Sequence, residues 1–513
     1  MELKLNREEI CASEVILRTK QEQAIELDYV LPDYYPEIFK IQKCFTIPRI
    51  SSYSVADNRL SYEIAVSVKV LYCSENSSEI QVIEQKLVFS KTAELEKNCE
   101  NPEICIVPSV DYINCRAVNQ RRLDIRGAVS TDITVTGLCS SEAISDAFGM
   151  DIELKKIPVT YPVNRLFSSK QISVNEEFEL GISKPEIRSI ICSDAAVTST
   201  DKKVIANKMV AKGEISVNMI YTCSGGEIET MEFSVPFSQI IDIEGIDERF
   251  DCHVDADILS CDISPRSDGD GNTKIAECNM SIMIKCSACR MAAAAIADDE
   301  FSTSFESSSV KSRIKVDYMP EWICTPVSAK TSIRASEGVI DCVYGVRTGV
   351  KSCSYALDKE TKQLVAAGTA VYTLIACDED KNPIFIDKEE NFTFNIPVEH
   401  ASDDCIFNIK VLPISHSYNI MSDGVVDIRS EFKICGNICC SENIECLTDI
   451  FVDETAERQR ESDCALKLYF ANAGENVWDI AKHYHSSVQS VFDENDLENE
   501  TLNDSCMLII PII

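Results

Sequence analysis

Stretches such as SYEIAVSVKVLY, IETMEFSVPFSQI, AGTAVYTLIAC and NFTFNIPVEH alternate apolar and polar residues along the chain. A period of two puts every second side chain on one face of a strand, so these segments predict β-strands with one buried face. Short turn-forming stretches, CSGGE, SDGDGN and DEDKNP, separate them. Antiparallel sheets paired as sandwiches or partly closed barrels follow from that pattern. Two other segments, SSEAISDAF and CRMAAAAIADDE, are rich in helix-forming residues and predict a short helix after the last strand of a unit.

The strand pattern repeats. Residues 36–72, beginning Pro36-Glu37-Ile38, align without a gap over residues 185–221, beginning Pro185-Glu186-Ile187. Val68, Val70, Leu71 and Tyr72 fall on Val217, Met219, Ile220 and Tyr221. Further on, Asp124-Ile125-Arg126 falls on Asp427-Ile428-Arg429. Such self-similarity marks a repeat architecture. The reading is an N-terminal segment (1–25), then three β units at 26–165, 166–315 and 316–455, the third most diverged at its start. A polar linker (456–463, within DETAERQRESD) lets a last cassette (464–513) swing.

That cassette changes period. LKLYFA reads as a strand and NAGE as a turn. Asn476 is placed to cap a helix with Asp479 as its partner, and Val477, Ile480, Ala481 and Tyr484 share one helical face. Ser486 with Gln489 reads as a second capping box, before a stripe of Val488, Val491 and Phe492. CMLIIP closes with a strand. The expected fold is therefore mainly β: about three tandem sandwich- or barrel-like repeats followed by a small βααβ domain.

Composition narrows the function. With 49 Lys and Arg against 84 Asp and Glu, the net charge is −35. Such a chain repels phosphate backbones, which argues against a nucleic-acid partner. No apolar run reaches the ~20 residues that span a bilayer, and no secretory signal precedes the first strand, so a cytoplasmic protein is expected. In that compartment the 25 cysteines are expected as reduced, buried thiols. Cys286 and Cys289 form a Cys-x-x-Cys inside a strand-like run, where buried thiols are favoured over a metal site. His483 and His485 are two apart and cannot share one helical face. DGDGN (268–272) lacks the acidic twelfth ligand of a calcium loop and reads as a hairpin turn. With no nucleophile elbow, zincin motif, phosphate loop or dinucleotide fingerprint, no catalytic residue, metal or cofactor is expected.

The cassette resembles the LysM domain, a module that binds N-acetylglucosamine-containing glycans. The likeness rests on Gly474-Glu475-Asn476-Val477-Trp478, on Ile480, Ala481 and Tyr484, on Asn495 and Leu497, and on Leu508–Pro511. Glu475 stands where the family has Asp, and Asp504-Ser505-Cys506 where it has Pro-Gly-Gln. The resemblance implies a ligand- or partner-binding surface on two loops: Gly474, Glu475, Asn476 and Val477, with Asn495, Asp496 and Leu497. The β units resemble the SPOCS domain through LDYVLPDYYPEIFKI (27–41), FELGISKPEIRSII (178–191) and LDIRG (123–127). SPOCS units followed by one LysM domain are similar to clostridial spore-coat morphogenetic proteins of spore-forming Firmicutes. The resemblance implies a non-enzymatic scaffold or adaptor of the spore coat. It would act in the mother-cell cytosol and at the forespore surface, with coat proteins as partners and self-association through open sheet edges. The alternative it implies is a peptidoglycan binder of the wall or cortex.

Overall fold

The computed structural model, which describes residues 3–75, 77–99, 101–181, 183–335, 338–421, 424–458 and 465–512, is mainly β. Its chain path is built from one six-strand pattern. β1 (Lys4–Val30) leads into a meander of β2 (Lys40–Ala56), β3 (Arg59–Ser74) and β4 (Ser77–Glu94), and the chain returns through β5 (Glu103–Asn119) and β6 (Arg122–Phe148). β6 lies between β1 and β5 in one antiparallel sheet, and β3 between β2 and β4 in the other. The sheets close on a core that includes Ile25, Leu60, Ile64, Val66, Leu123 and Ile125.

The same path recurs in β7 (Ile152–Glu179), β8 (Ile187–Ile205), β9 (Lys208–Cys223), β10 (Ile228–Asp242), β11 (Asp251–Arg266) and β12 (Ile275–Ser302). It recurs again in β13 (Phe305–Asp317), β14 (Glu321–Arg334), β15 (Ile340–Asp358), β16 (Gln363–Asp378), β17 (Pro383–Pro397), β18 (Asp404–Ile420) and β19 (Val425–Glu457). There the opening strand is interrupted beside Pro320, which has no N–H for the ladder. The boundaries expected at 26, 166 and 316 fall inside β1, β7 and β13. Residues 4–25, read as a separate N-terminal segment, are most of β1.

Burial along the central strands shows why the units cling together. In β3, Leu60, Tyr62, Ile64, Val66 and Val68 are buried at every second position. From Lys69 to Cys73 both faces are buried, because the outer face meets the other two units. Leu71 of β3, Ile220 of β9 and Ile375 of β16 occupy matching places and join one apolar cluster. At the opposite end Ile144, Ala297 and Ile450 do the same. The three units therefore wrap a common pseudo-threefold axis.

Those second clusters explain a correction. SSEAISDAF and CRMAAAAIADDE are not helices; they are the far ends of β6 and β12, paired with β1 and β7. Ala143, Ile144, Ile296 and Ala297 are buried against the axis there. Ladder pairing and packing override their helix propensity. The repeated Pro-Glu-Ile also acquires a role. Leu31 and Leu180, at the ends of β1 and β7, and Ile38 and Ile187, just past the turn, are buried. Their amides bond to the β5–β6 and β11–β12 turns, Leu31 to Arg121 O and Ile38 to Gln120 O, Leu180 to Lys274 O and Ile187 to Thr273 O. The motif thus pins the crossing from one sheet to the next.

The chain ends in β20 (Leu466–Ala471), α1 (Val477–Tyr484), α2 (Val488–Glu494) and β21 (Cys506–Pro511), with β20 and β21 paired antiparallel. Asn476 caps α1 by accepting from Trp478 N at 2.8 Å. α2 instead begins after Ser487, which makes no side-chain cap bond. Ser486 is fully buried, and its hydroxyl donates to Pro511 O at 2.6 Å rather than capping α2. Nor does the cassette swing free. The indole of Trp478 donates to Asp299 at 3.0 Å, Lys482 pairs with the same carboxylate at 2.7 Å, and the Phe301 ring meets Trp478 edge-on. Phe301 belongs to the cassette's core cluster. Residues 459–463 of the expected linker lie outside the described residues.

Gly436 in β19 has φ +133, and a Cβ there would lie 1.9 Å from the Asn408 carbonyl oxygen across the ladder. Replacing Gly436 by Ala should destabilise the protein by on the order of 3 kcal/mol. A urea unfolding series checks this, and an unchanged midpoint would show that the two strands separate freely there.

Candidate functional site

Three seams meet at the axis, and they border a half-open cavity of about 1340 Å³ lined by all three units. Its wall is charged, although every strand that builds it has an apolar inner face. Lys43 pairs with Asp387, Arg347 with Asp194 at 3.2 Å, and Lys351 with Glu389 at 2.6 Å. Lys410 reaches both Asp255, at 2.7 Å, and Asp257, which also takes Lys285 at 3.0 Å. Burial alone would raise the Asp257 pKa, but Lys410 and Lys285 outweigh it and hold the carboxyl below its usual range. Most of these ions are spent on one another across unit boundaries. What the cavity wall does chemically is hold the ring closed.

The 2–3 seam also carries an uncharged ring stack. His253 of β11 lies flat on Trp322 of β14, with centroids 4.6 Å apart. Burial pushes its pKa down to about 4, helped by Lys202 and Lys433 and opposed by Asp255 and Asp251. His416 of β18 is likewise lowered by burial, against Asp194 and Glu232.

The cassette presents the loops singled out in sequence. Gly474 has φ +91 with open space around it, and its amide donates to Leu502 O at 2.8 Å. Glu475 accepts from Tyr469 Oη and Asn472 Nδ2, each at 3.0 Å. Asn476 bridges to Thr501, so the first loop lies along residues 500–502. Val477 is fully buried, and its amide donates to Glu500 O. Asn495 spends its amide on Val491 O, Ile509 O and Ile509 N. Leu497 packs on the cassette core, while Asp496 is exposed at φ +50. Val477, Asn495 and Leu497 thus maintain the small fold, and Gly474, Glu475 and Asp496 face outward more fully.

The other side of the cassette was not singled out from its loops. Residues 467, 469 and 471 of β20 face the helices. Leu466, Leu468 and Phe470 face away, and all three are exposed. Across the ladder they meet Pro511, Ile509 and Met507. All six outward positions of this two-stranded sheet are apolar. The alternation in LKLYFA carried that signal, because its polar and its apolar positions are both accounted for.

Cysteines depart from the expected reduced state. Cys405 and Cys440, directly opposed on β18 and β19, form a disulfide. Among the described residues, Asp341, Cys342 and Cys377 bring metal-type donors within 4.8 Å of one another, which no sequence spacing announced. Cys286 and Cys289 do not converge on a shared site: Cys286 enters the core of the second unit and Cys289 approaches Met319. DGDGN makes the β11–β12 turn, with Asp268 Oδ1 accepting from Asp270 N and Asn272 N.

The His253 environment sets a pH dependence. A folded pKa near 4 against an ordinary 6.5 means the unfolded chain binds the proton more readily. The stabilisation is complete above about pH 6.5 and is lost as pH falls toward 4. Lowering pH from 7 to 5 should cost about 2 kcal/mol through this one residue. Urea midpoints at the two pH values check it; the variant His253→Phe, which keeps the stack but cannot protonate, should show a shallower pH slope.

The family model for the SipL, SPOCS domain matches residues 186–265, from the Pro-Glu-Ile turn through β11. No curated protein and no solved structure matches the chain. Among the described residues, no helix is long and apolar enough to cross a membrane.

Proposed function

We propose that this chain is a non-enzymatic scaffold or adaptor of the spore coat, anchored through its C-terminal LysM-like cassette and holding coat proteins on its three SPOCS-like units. The sporulation link is supported by the SPOCS match at residues 186–265. The anchoring reading is carried by one observation: the outward face of β20 and β21 is wholly apolar, with Leu468 71% and Phe470 58% exposed, while the opposite face is covered by helices. A contiguous apolar face of this kind marks a protein-docking surface. The glycan alternative has less support. Val477 and Asn495, two of the groups it would use, are occupied inside the cassette.

In a sporulating host, a fluorescent fusion of the full chain should ring the forespore. Leu468→Arg with Phe470→Glu should weaken that recruitment roughly tenfold or more, with the far-ultraviolet spectrum and unfolding midpoint unchanged. Undiminished recruitment in the double variant removes the docking face from the account. Co-sedimentation of the wild-type chain with purified peptidoglycan, lost on Gly474→Val, would favour the wall-binding reading instead.

A further inference from the structure

Among the described residues, eight cysteines stand in four close pairs, with at least one pair in each unit. In the first unit Cys44 of β2 and Cys115 of β5 pack against the same core where the two sheets meet. In the second, Cys261 of β11 lies diagonally across the ladder from Cys278 of β12, whose register partner is Ile263. In the third, Cys342 and Cys377 are register partners on β15 and β16, with sulfurs 2.7 Å apart, and Cys405 and Cys440 are already joined. Cys44 and Cys115 lie on non-consecutive strands, and the other three pairs staple consecutive hairpin strands; in each case a cross-link closes a loop that constrains the unfolded chain.

We propose that these four pairs are sites of reversible cystine formation, with a low-molecular-weight disulfide such as glutathione disulfide as the oxidant. The chemistry is thiol–disulfide exchange. In the first unit the Cys115 thiolate attacks one sulfur of the oxidant, breaking its S–S bond and releasing one small thiolate. Cys44 then gives up its proton and attacks the Cys115 sulfur of the mixed disulfide, expelling the second small thiol. Two protein thiols lose two electrons and two protons, and the oxidant is reduced to two thiols. The pairs are unequal in the way this sequence needs. The hydrogen bond from Cys44 lowers the Cys115 thiol, and that from Cys278 lowers Cys261, in both cases against burial. Thiolate character selects the attacking sulfur. Cys44 lines the axial cavity, which gives a small oxidant a route to the pair.

The competing chemistry is a metal ion, since Asp341 stands beside Cys342 and Cys377. Its own partner is Lys381, an ammonium that already neutralises the carboxylate. Two thiols and a carboxylate engaged by lysine suit a cystine better than a divalent cation, whose charge the lysine opposes.

The test takes the fully reduced full-length protein into a glutathione redox buffer, then alkylates, digests and maps it by mass spectrometry. The expected peptides link Cys44 to Cys115, Cys261 to Cys278, Cys342 to Cys377 and Cys405 to Cys440, and the urea midpoint rises on oxidation. Cys44→Ala and Cys261→Ala should leave Cys115 and Cys278 alkylated, reduce that rise, and not alter the reduced protein's spectrum. Alkylated thiols at Cys44, Cys115, Cys261 and Cys278 in the oxidised wild type overturn the proposal. So does zinc added alone that protects Cys342 and Cys377 from oxidation at stoichiometric amounts.

Discussion

Asp317 has no exposed side-chain surface, and three units meet on its two oxygens. One oxygen accepts from the Ser13 amide at 2.7 Å and from the Arg165 guanidinium; the other accepts from the Ser441 hydroxyl at 2.7 Å. Ser13, Arg165 and Asp317 come from the opening strands of successive units, each 152 residues after the last. A buried carboxylate is tolerated only when its charge and lone pairs are answered. Here each answer comes from a different stretch of chain: removing the second or the third unit leaves an unpaired ion, and removing the first strips the buried carboxylate of the Ser13 amide. The ring is a condition of the fold, not a later arrangement of finished domains.

The same logic runs along the seams. Arg347 meets Asp194, and Lys410 meets Asp257, at separations of 153 residues, close to the repeat length itself. Corresponding positions of the repeats face one another around the axis. If the repeats were identical, like would oppose like there. Divergence between copies converts those positions into complementary pairs. The apolar ends of the axis have no such need, and Leu71, Ile220 and Ile375 remain alike.

The period-two pattern made the strands legible, and the ungapped match of residues 36–72 over 185–221 located β2 and β3 against β8 and β9. What was not legible was each unit's opening strand. Its alternation is interrupted by bulges near Asn6 and Val15, and its partner, β6, lies more than a hundred residues away. The alanine-rich end of β12 misled for a related reason: Ala293 and Ala295 are exposed while Ala294 and Ala297 pack inward, an alternation that a run of one residue type conceals. In the cassette, the capping asparagine and the helical stripe could be read directly. Ser486 could not, because its acceptor, Pro511, sits on the far strand. The seam ions were beyond sequence reasoning altogether, since a charge in a strand looks the same whether it faces water or another unit.

The body carries three similar ribbons at one end, built from β1 with β6, β7 with β12, and β13 with β19, yet one cassette docks, on Asp299 and Phe301 of β12. A homotrimer of single units, each with its own cassette, would carry three cassettes by symmetry. Fusing the units into one chain leaves a single cassette at that end while the flanks stay threefold. The threefold likeness of the body is thereby broken at one end only, and the particle has a chemically distinct pole.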